Sequence, residues 1–203
     1  MTPAAQPFEV VVARLDAPSD ELRALRESLC AAEQHRAGRF RFERHRRRFV
    51  VARGRLRKLL GERLGVPAEK VELAHGANGK PCLKHNGWHF NVSHCDDVAL
   101  FAFSKAFEIG VDVEAIRPIR GADTIAAQFF SPREKAAYAA LAPDDKALGF
   151  LHCWTRKEAL VKAIGEGLSM PLERFDVAHA PGWRLHSFFP LPGFIGAVAC
   201  QHG

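Results

Sequence analysis

The chain has 203 residues, 47% of them hydrophobic and 26% charged, a composition that suits one compact unit or two small lobes around a real core. No apolar run reaches the ~20 residues of a membrane-spanning helix, and the opening MTPAAQPFEV has neither the basic nor the apolar region of a signal peptide, so a cytoplasmic location is expected. The five cysteines are odd in number and lack CxxC spacing, which excludes a disulfide framework.

Net charge is +6, unevenly spread. Residues 1–107 hold 19 Lys/Arg against 12 Asp/Glu, whereas residues 108–203 hold 10 against 11. The surplus gathers in RAGRFRFERHRRRFVVARGRLRK, residues 36–58, where eleven residues are basic and Glu43 alone is acidic. Such a field attracts polyanions: nucleic acid, phosphorylated small molecules or acidic proteins.

Residues 8–14 alternate as a first strand, and 19–34 read as a helix. A longer helix is predicted over 42–64, with Phe49, Ala52, Leu56, Leu59 and Leu60 as its apolar stripe, ended by Gly65 and Pro67. HGANGKPCL at 75–83 is turn-rich. Strands follow at 89–94 and 98–104, joined across Cys95–Asp97, and a third at 107–116. SPRE at 131–134 places Ser at an N-cap, Pro at N1 and Glu at N3, a capping box. Residues 144–164 form a long helix closed by Gly165 and Gly167. Segments 174–178, 183–189 and 194–200 are predicted strands. No tandem repeat or long linker is evident; a join between two lobes would fall near 104–108.

IGVDVEAI at 109–116 sets Asp112 and Glu114 two apart on a strand, hence on one face. They are either a solvent-facing edge with Val111 and Val113 inward, or part of a divalent-cation site that uses carboxylates and substrate phosphate. Glu158 and Lys162, at i and i+4 on the last long helix, are either a surface pair or a metal ligand or base beside a phosphate-binding lysine. Ser93 and His94 in NVSH cap a turn or contact a phosphate; no GxSxG elbow accompanies them, and adjacent strand residues face opposite ways, which rejects a hydrolase pair. Cys82, His85 and His89 approach a structural zinc pattern but lack a second short-spaced ligand pair. Arg48 is expected on the helix face away from Leu56 and Leu59, available for a terminal phosphate. Phe40, Phe42 and Phe49 among the arginines could suggest nucleic-acid stacking, but the apolar spacing on that helix is better explained by packing.

GKP at 79–81, FNVSH at 90–94, IGVDVE at 109–114, FFSPRE at 129–134 and WTRKEALVKAIGEGL at 154–168 occur in this order. Together they resemble the Sfp-type 4′-phosphopantetheinyl transferases. The resemblance implies an α+β pseudo-dimer of two similar lobes, residues 1–106 and 107–203, with the active site in the cleft between them. It implies Mg²⁺-dependent transfer of the 4′-phosphopantetheine of coenzyme A to a serine of an acidic apo acyl or peptidyl carrier protein, releasing adenosine 3′,5′-bisphosphate. Carried over by motif, Asp112, Glu114 and Glu158 resemble metal ligands, with Glu158 also the base. Lys162 resembles the lysine beside the pyrophosphate. Lys80, Ser93 and His94 resemble coenzyme A phosphate contacts, and Arg48 the basic residue for the 3′-phosphate. The cleft within one chain implies a monomer. Competing readings are another Mg²⁺-dependent phosphoryl-transfer enzyme or nuclease, and a basic nucleic-acid-binding module.

Overall fold

A computed structural model describes residues 8–76, 78–84, 87–167 and 170–201. The chain folds twice into the same plan. In the first lobe, β1 (Glu9–Arg14) leads through α1 (Ser19–Glu27), α2 (Ala31–Gly38) and the long α3 (Glu43–Leu64) to a small hairpin, β2 (Leu73–His75) and β3 (Pro81–Leu83). It then closes its sheet with β4 (His89–Cys95) and β5 (Val98–Ser104) in the antiparallel order β1-β5-β4. In the second lobe, β6 (Ile109–Ala115) leads through α4 (Ala122–Phe129), α5 (Pro132–Ala139) and the long α6 (Lys146–Ile164) to β7 (Trp183–Phe188) and β8 (Phe194–Gln201), ordered β6-β8-β7. The expected α+β class with two similar lobes is the one observed.

The middle strand of each sheet is its anchor. All seven residues of β5 are buried, and alternation divides them between two cores. Ala99, Phe101 and Phe103 pack on α3 with Leu56 and Leu60. Val98, Leu100 and Ala102 meet Val111, Val113 and Val198 of the second lobe. This second cluster fastens the lobes by burying apolar surface along the whole seam.

Helix ends follow the sequence closely. Gly65 and Gly165 take left-handed φ of 68° and 82° and stop the two long helices. The predicted capping box is present: Ser131 N donates to Glu134 Oε2 at 2.7 Å and Glu134 N to Ser131 Oγ at 3.2 Å.

Two expectations are corrected. Residues 19–34 are not one helix; α1 ends at Glu27 and α2 starts at Ala31, because Cys30 N donates to Glu33 and begins a new helix while Leu29 enters the core. Residues 174–178 are not a strand. The ammonium of Lys157 takes the carbonyls of Leu172 and Phe175, and Glu134 Oε1 accepts from Val177 N at 2.9 Å. Side chains thus satisfy the backbone groups that a ladder would have used. Helix α4 went unpredicted.

Candidate active site

The site forms where β4 of the first lobe lies beside β6 and α6 of the second. The odd-numbered side chains of β4 reach across the seam in sequence. His89 Nδ1 bonds Glu108 Oε1 at 2.9 Å, Asn91 Oδ1 accepts from Val111 N at 3.0 Å, and Ser93 Oγ donates to Asp112 Oδ1 at 2.8 Å. Cys95 Sγ approaches Glu114 Oε2 at 3.4 Å. Period-two alternation makes this zipper. The other face of β4 sends Phe90 and Val92 into the first core and His94 outward, so Ser93 and His94 do not act as a pair.

The solvent-facing alternative for Asp112 is excluded, since the residue is only 4% exposed. Lys162 Nζ donates to Asp112 Oδ1 at 2.6 Å and to Ser93 Oγ at 3.1 Å. Lys162 therefore pairs across elements with Asp112 instead of forming a surface pair with Glu158. Among the described residues, Asp112 Oδ2 is buried with no hydrogen-bond partner. Burial raises the pKa of Glu158; Lys162 opposes this, while the charges of Asp112 and Glu114 add to it. Burial, and then Asp112, likewise raise Glu114. The three carboxylates thus feel one another, as groups sharing a site do.

Local sequence explains how they meet. Gly110 faces α6, and a Cβ there would overlap the backbone of Ala159 and Ala163. Its absence lets the strand that carries Asp112 and Glu114 lie directly against the helix that carries Glu158 and Lys162. Among the described residues, no three His, Cys, Asp or Glu side chains are gathered into a ready metal cage. A Mg²⁺ ion needs only one or two carboxylates plus waters and substrate phosphate. The unpartnered oxygen of Asp112 and the mutual repulsion of the three acids fit such an ion. Of the residues in the zinc pattern, His85 lies outside the described residues.

Beside the carboxylates, a cavity of about 600 Å³ opens between α3 and β4. Arg48, His94, Arg36, Arg53, Phe40 and Phe49 are among its walls. Leu56 lines it too, which corrects the expected orientation of Arg48. Positions 48, 52 and 56 succeed one another at i+4, so Arg48 shares their face at the end nearest solvent. Arg53 and His45 were missed as cavity residues, although the same helical phase could have found them. Arg36 stacks on Phe49, 5.2 Å from the ring centroid. Pro81, Asn91 and Val92 border both this cavity and a smaller one of about 280 Å³ that holds Lys80, Glu158 and Lys162. A groove thus runs from the arginines to the carboxylates.

Of the sequence-predicted residues, the structure brings Ser93, Asp112, Glu114, Glu158 and Lys162 together. Arg48 and His94 sit on the neighbouring cavity. Lys80 borders the smaller one, but its ammonium is engaged by Glu108 Oε2 at 2.9 Å, Ala163 O at 2.9 Å and Ile109 O at 3.4 Å.

A two-lobed α+β protein with clustered acids beside a basic, nucleotide-sized cavity has the outline of an enzyme acting on a phosphorylated substrate. The sequence profile of the 4′-phosphopantetheinyl transferase superfamily matches residues 108–196, and that of the 4′-phosphopantetheinyl transferase N-terminal region matches residues 16–106. The chain is 37% identical over 198 residues to the 4′-phosphopantetheinyl transferase HetI of Nostoc sp., covering 91% of this chain and 84% of that protein. It is 30% identical to the 4′-phosphopantetheinyl transferase Sfp of Bacillus subtilis, covering 72% of this chain and 70% of the relative. It is also 30% identical to the human L-aminoadipate-semialdehyde dehydrogenase-phosphopantetheinyl transferase, covering 76% of this chain but 54% of that longer protein. The chain belongs to the 4′-phosphopantetheinyl transferase superfamily, enzymes that move phosphopantetheine from coenzyme A to a carrier protein.

Proposed function

We propose that this protein transfers the 4′-phosphopantetheine of coenzyme A to a serine of an acidic apo acyl or peptidyl carrier protein, with Mg²⁺, as a cytoplasmic monomer. The observation that carries the reading is the buried, unpartnered Oδ2 of Asp112 among three mutually repelling carboxylates, at the end of a basic groove. We place the lobe boundary at 106/107, so that the first lobe holds the nucleotide and the second supplies the acids.

Arg48 takes the 3′-phosphate through its permanently charged guanidinium. His94 contacts phosphate from the same cavity, and Ser93 orients Asp112 and Lys162 from below. Asp112, Glu114 and Glu158 would hold Mg²⁺, which when bound supplies charge stabilisation at the pyrophosphate. The incoming serine oxygen forms a bond to the β-phosphorus, and the bond from that phosphorus to the bridging oxygen breaks. Adenosine 3′,5′-bisphosphate leaves. Glu158 accepts the serine proton as general base. Lys162 donates to the leaving oxygen, stabilising negative charge as it develops. The basic surplus on the first lobe speeds encounter with an acidic carrier.

The test is intact mass of apo fatty-acid, polyketide and peptidyl carriers after incubation with the protein, coenzyme A and Mg²⁺, with an EDTA control. A metal-dependent gain of one phosphopantetheine group is expected. No gain on any carrier, with folded protein, overturns the reading.

A further inference from the structure

The hairpin β2–β3 belongs to the first lobe by sequence, yet it grips the second. Lys80 reaches from it to three acceptors: Glu108 just before β6, the carbonyl of Ile109 at the start of β6, and the carbonyl of Ala163 in the last turn of α6. Asn78 Nδ2 donates to Gly165 O at 2.9 Å, on the cap of the same helix. From β4, His89 takes the other oxygen of Glu108 at 2.9 Å. The last carbonyls of a helix lack intrahelical donors and carry its negative pole, so a lysine is well placed there. A Cβ on Gly165 would sit 3.5 Å from Lys80 Cδ, so the lysine stem lies directly on the helix cap.

The two elements that Lys80 joins carry the acids of the site. β6 bears Asp112 and Glu114; α6 bears Glu158 and Lys162. With three acceptors for three ammonium protons, Lys80 has no donor left over for a phosphate in this arrangement. We propose that Lys80 is a positioning residue, a latch that fixes β6 against the end of α6 and ties both to the first lobe, thereby setting the distance between the nucleotide cavity and the carboxylates. This rests on the transfer reading above for its kinetic consequence, though not for its structural one.

Glu108 separates the latch from a direct phosphate contact. If Lys80 binds phosphate, Glu108 competes for it, and Glu108→Gln should lower KM for coenzyme A while Lys80→Met raises it. A latch predicts that either substitution lowers kcat, by about tenfold or more as expected when reacting groups are displaced. Under the latch KM for coenzyme A stays within about twofold, since uniform binding is untouched. The double variant should be no slower than the slower single one, because both remove the same bond. Amide hydrogen exchange in the last turn of α6 should quicken in each variant, without global unfolding. Opposite KM shifts, or unchanged kcat in both variants, overturn the latch. Should the wild-type protein fail to transfer from coenzyme A, the exchange arm still decides: unaltered exchange at the end of α6 in both variants overturns it.

Discussion

The two lobes hold their long helices with the same device. In the first, Glu33 at the third position of α2 accepts from Cys30 N and pairs with Arg57 of α3 at 2.6 Å, and that guanidinium also donates to the carbonyls of Ala68 and Val71 beyond the helix. In the second, Glu134 at the third position of α5 accepts from Ser131 N and pairs with Lys157 of α6 at 2.8 Å, and that ammonium donates to the carbonyls of Leu172 and Phe175 beyond the helix. Each hub clamps a short helix, a long helix and the segment after it around one buried charge pair. The lobes diverge at the residues next to the hub. Val11 pairs with Phe101 as Asp112 pairs with Ala197, so Val11 and Ala13 stand where the second lobe has Asp112 and Glu114. Lys58 and Glu62 follow Arg57 as Glu158 and Lys162 follow Lys157. The same strand positions thus carry apolar side chains in the first lobe and carboxylates in the second, while the helix positions carry Lys58 and Glu62 in one and the reversed pair, Glu158 and Lys162, in the other.

The hubs can be broken first, with the largest effect expected. Glu134→Ala leaves Lys157, which is 0% exposed at its side chain, without its counter-charge, and should cost about 3–5 kcal/mol in urea unfolding. Glu33→Ala should cost less, because at 13% exposure its site admits more water. Equal losses would make the two hubs energetically equivalent.

Glu158→Gln sharpens the functional difference. It retains volume but removes the proposed base and a proposed metal-binding oxygen, and transfer should slow about 10²-fold or more while the unfolding midpoint holds. Near-normal turnover in saturating Mg²⁺ would take that role from Glu158. On the binding side, Arg48→Ala should weaken coenzyme A about tenfold and 3′-dephospho-coenzyme A much less, as loss of a charged hydrogen bond implies. Equal weakening of both would move the 3′-phosphate contact elsewhere.

The smallest effect concerns a thiol behind the site. Burial, reinforced by Glu134, pushes Cys153 up to about 12, so it stays protonated at neutral pH and serves as packing. Iodoacetamide at pH 8 should label the exposed Cys30 and Cys82 well before Cys153, and denaturant should abolish the difference. Rapid labelling of native Cys153 would show that the region behind α6 opens readily.

Much of this was legible in order along the chain. The apolar patterning of 89–94, 98–104 and 107–116 indicated the strands along the seam, SPRE a helix start, and Gly65 and Gly165 the helix ends, because periodicity and capping are local properties. Asp112 and Glu114 were marked by their place in an apolar strand, and Glu158 by its i, i+4 spacing to Lys162 on a helix. What sequence could not place were partners distant along the chain. A Ser–His neighbour pair reads alike whether or not its members share a face with Asp112. Arg48 faces the cavity with Ala52 and Leu56, at i+4 and i+8, although a charged residue beside an apolar stripe reads locally as belonging to the opposite face. Residues 174–178 have the composition of a strand and lose that structure to Lys157 and Glu134, which lie at least fifteen residues away. Lys80 carries no local sign that its ammonium is spent on a helix end more than eighty residues on. Sequence alone determined most of the elements and the inventory of charged groups, since periodicity, capping and composition follow from near neighbours. Which charges meet, and which remain unpartnered at the seam, only tertiary structure decided, because a charge's surroundings are set by the whole fold.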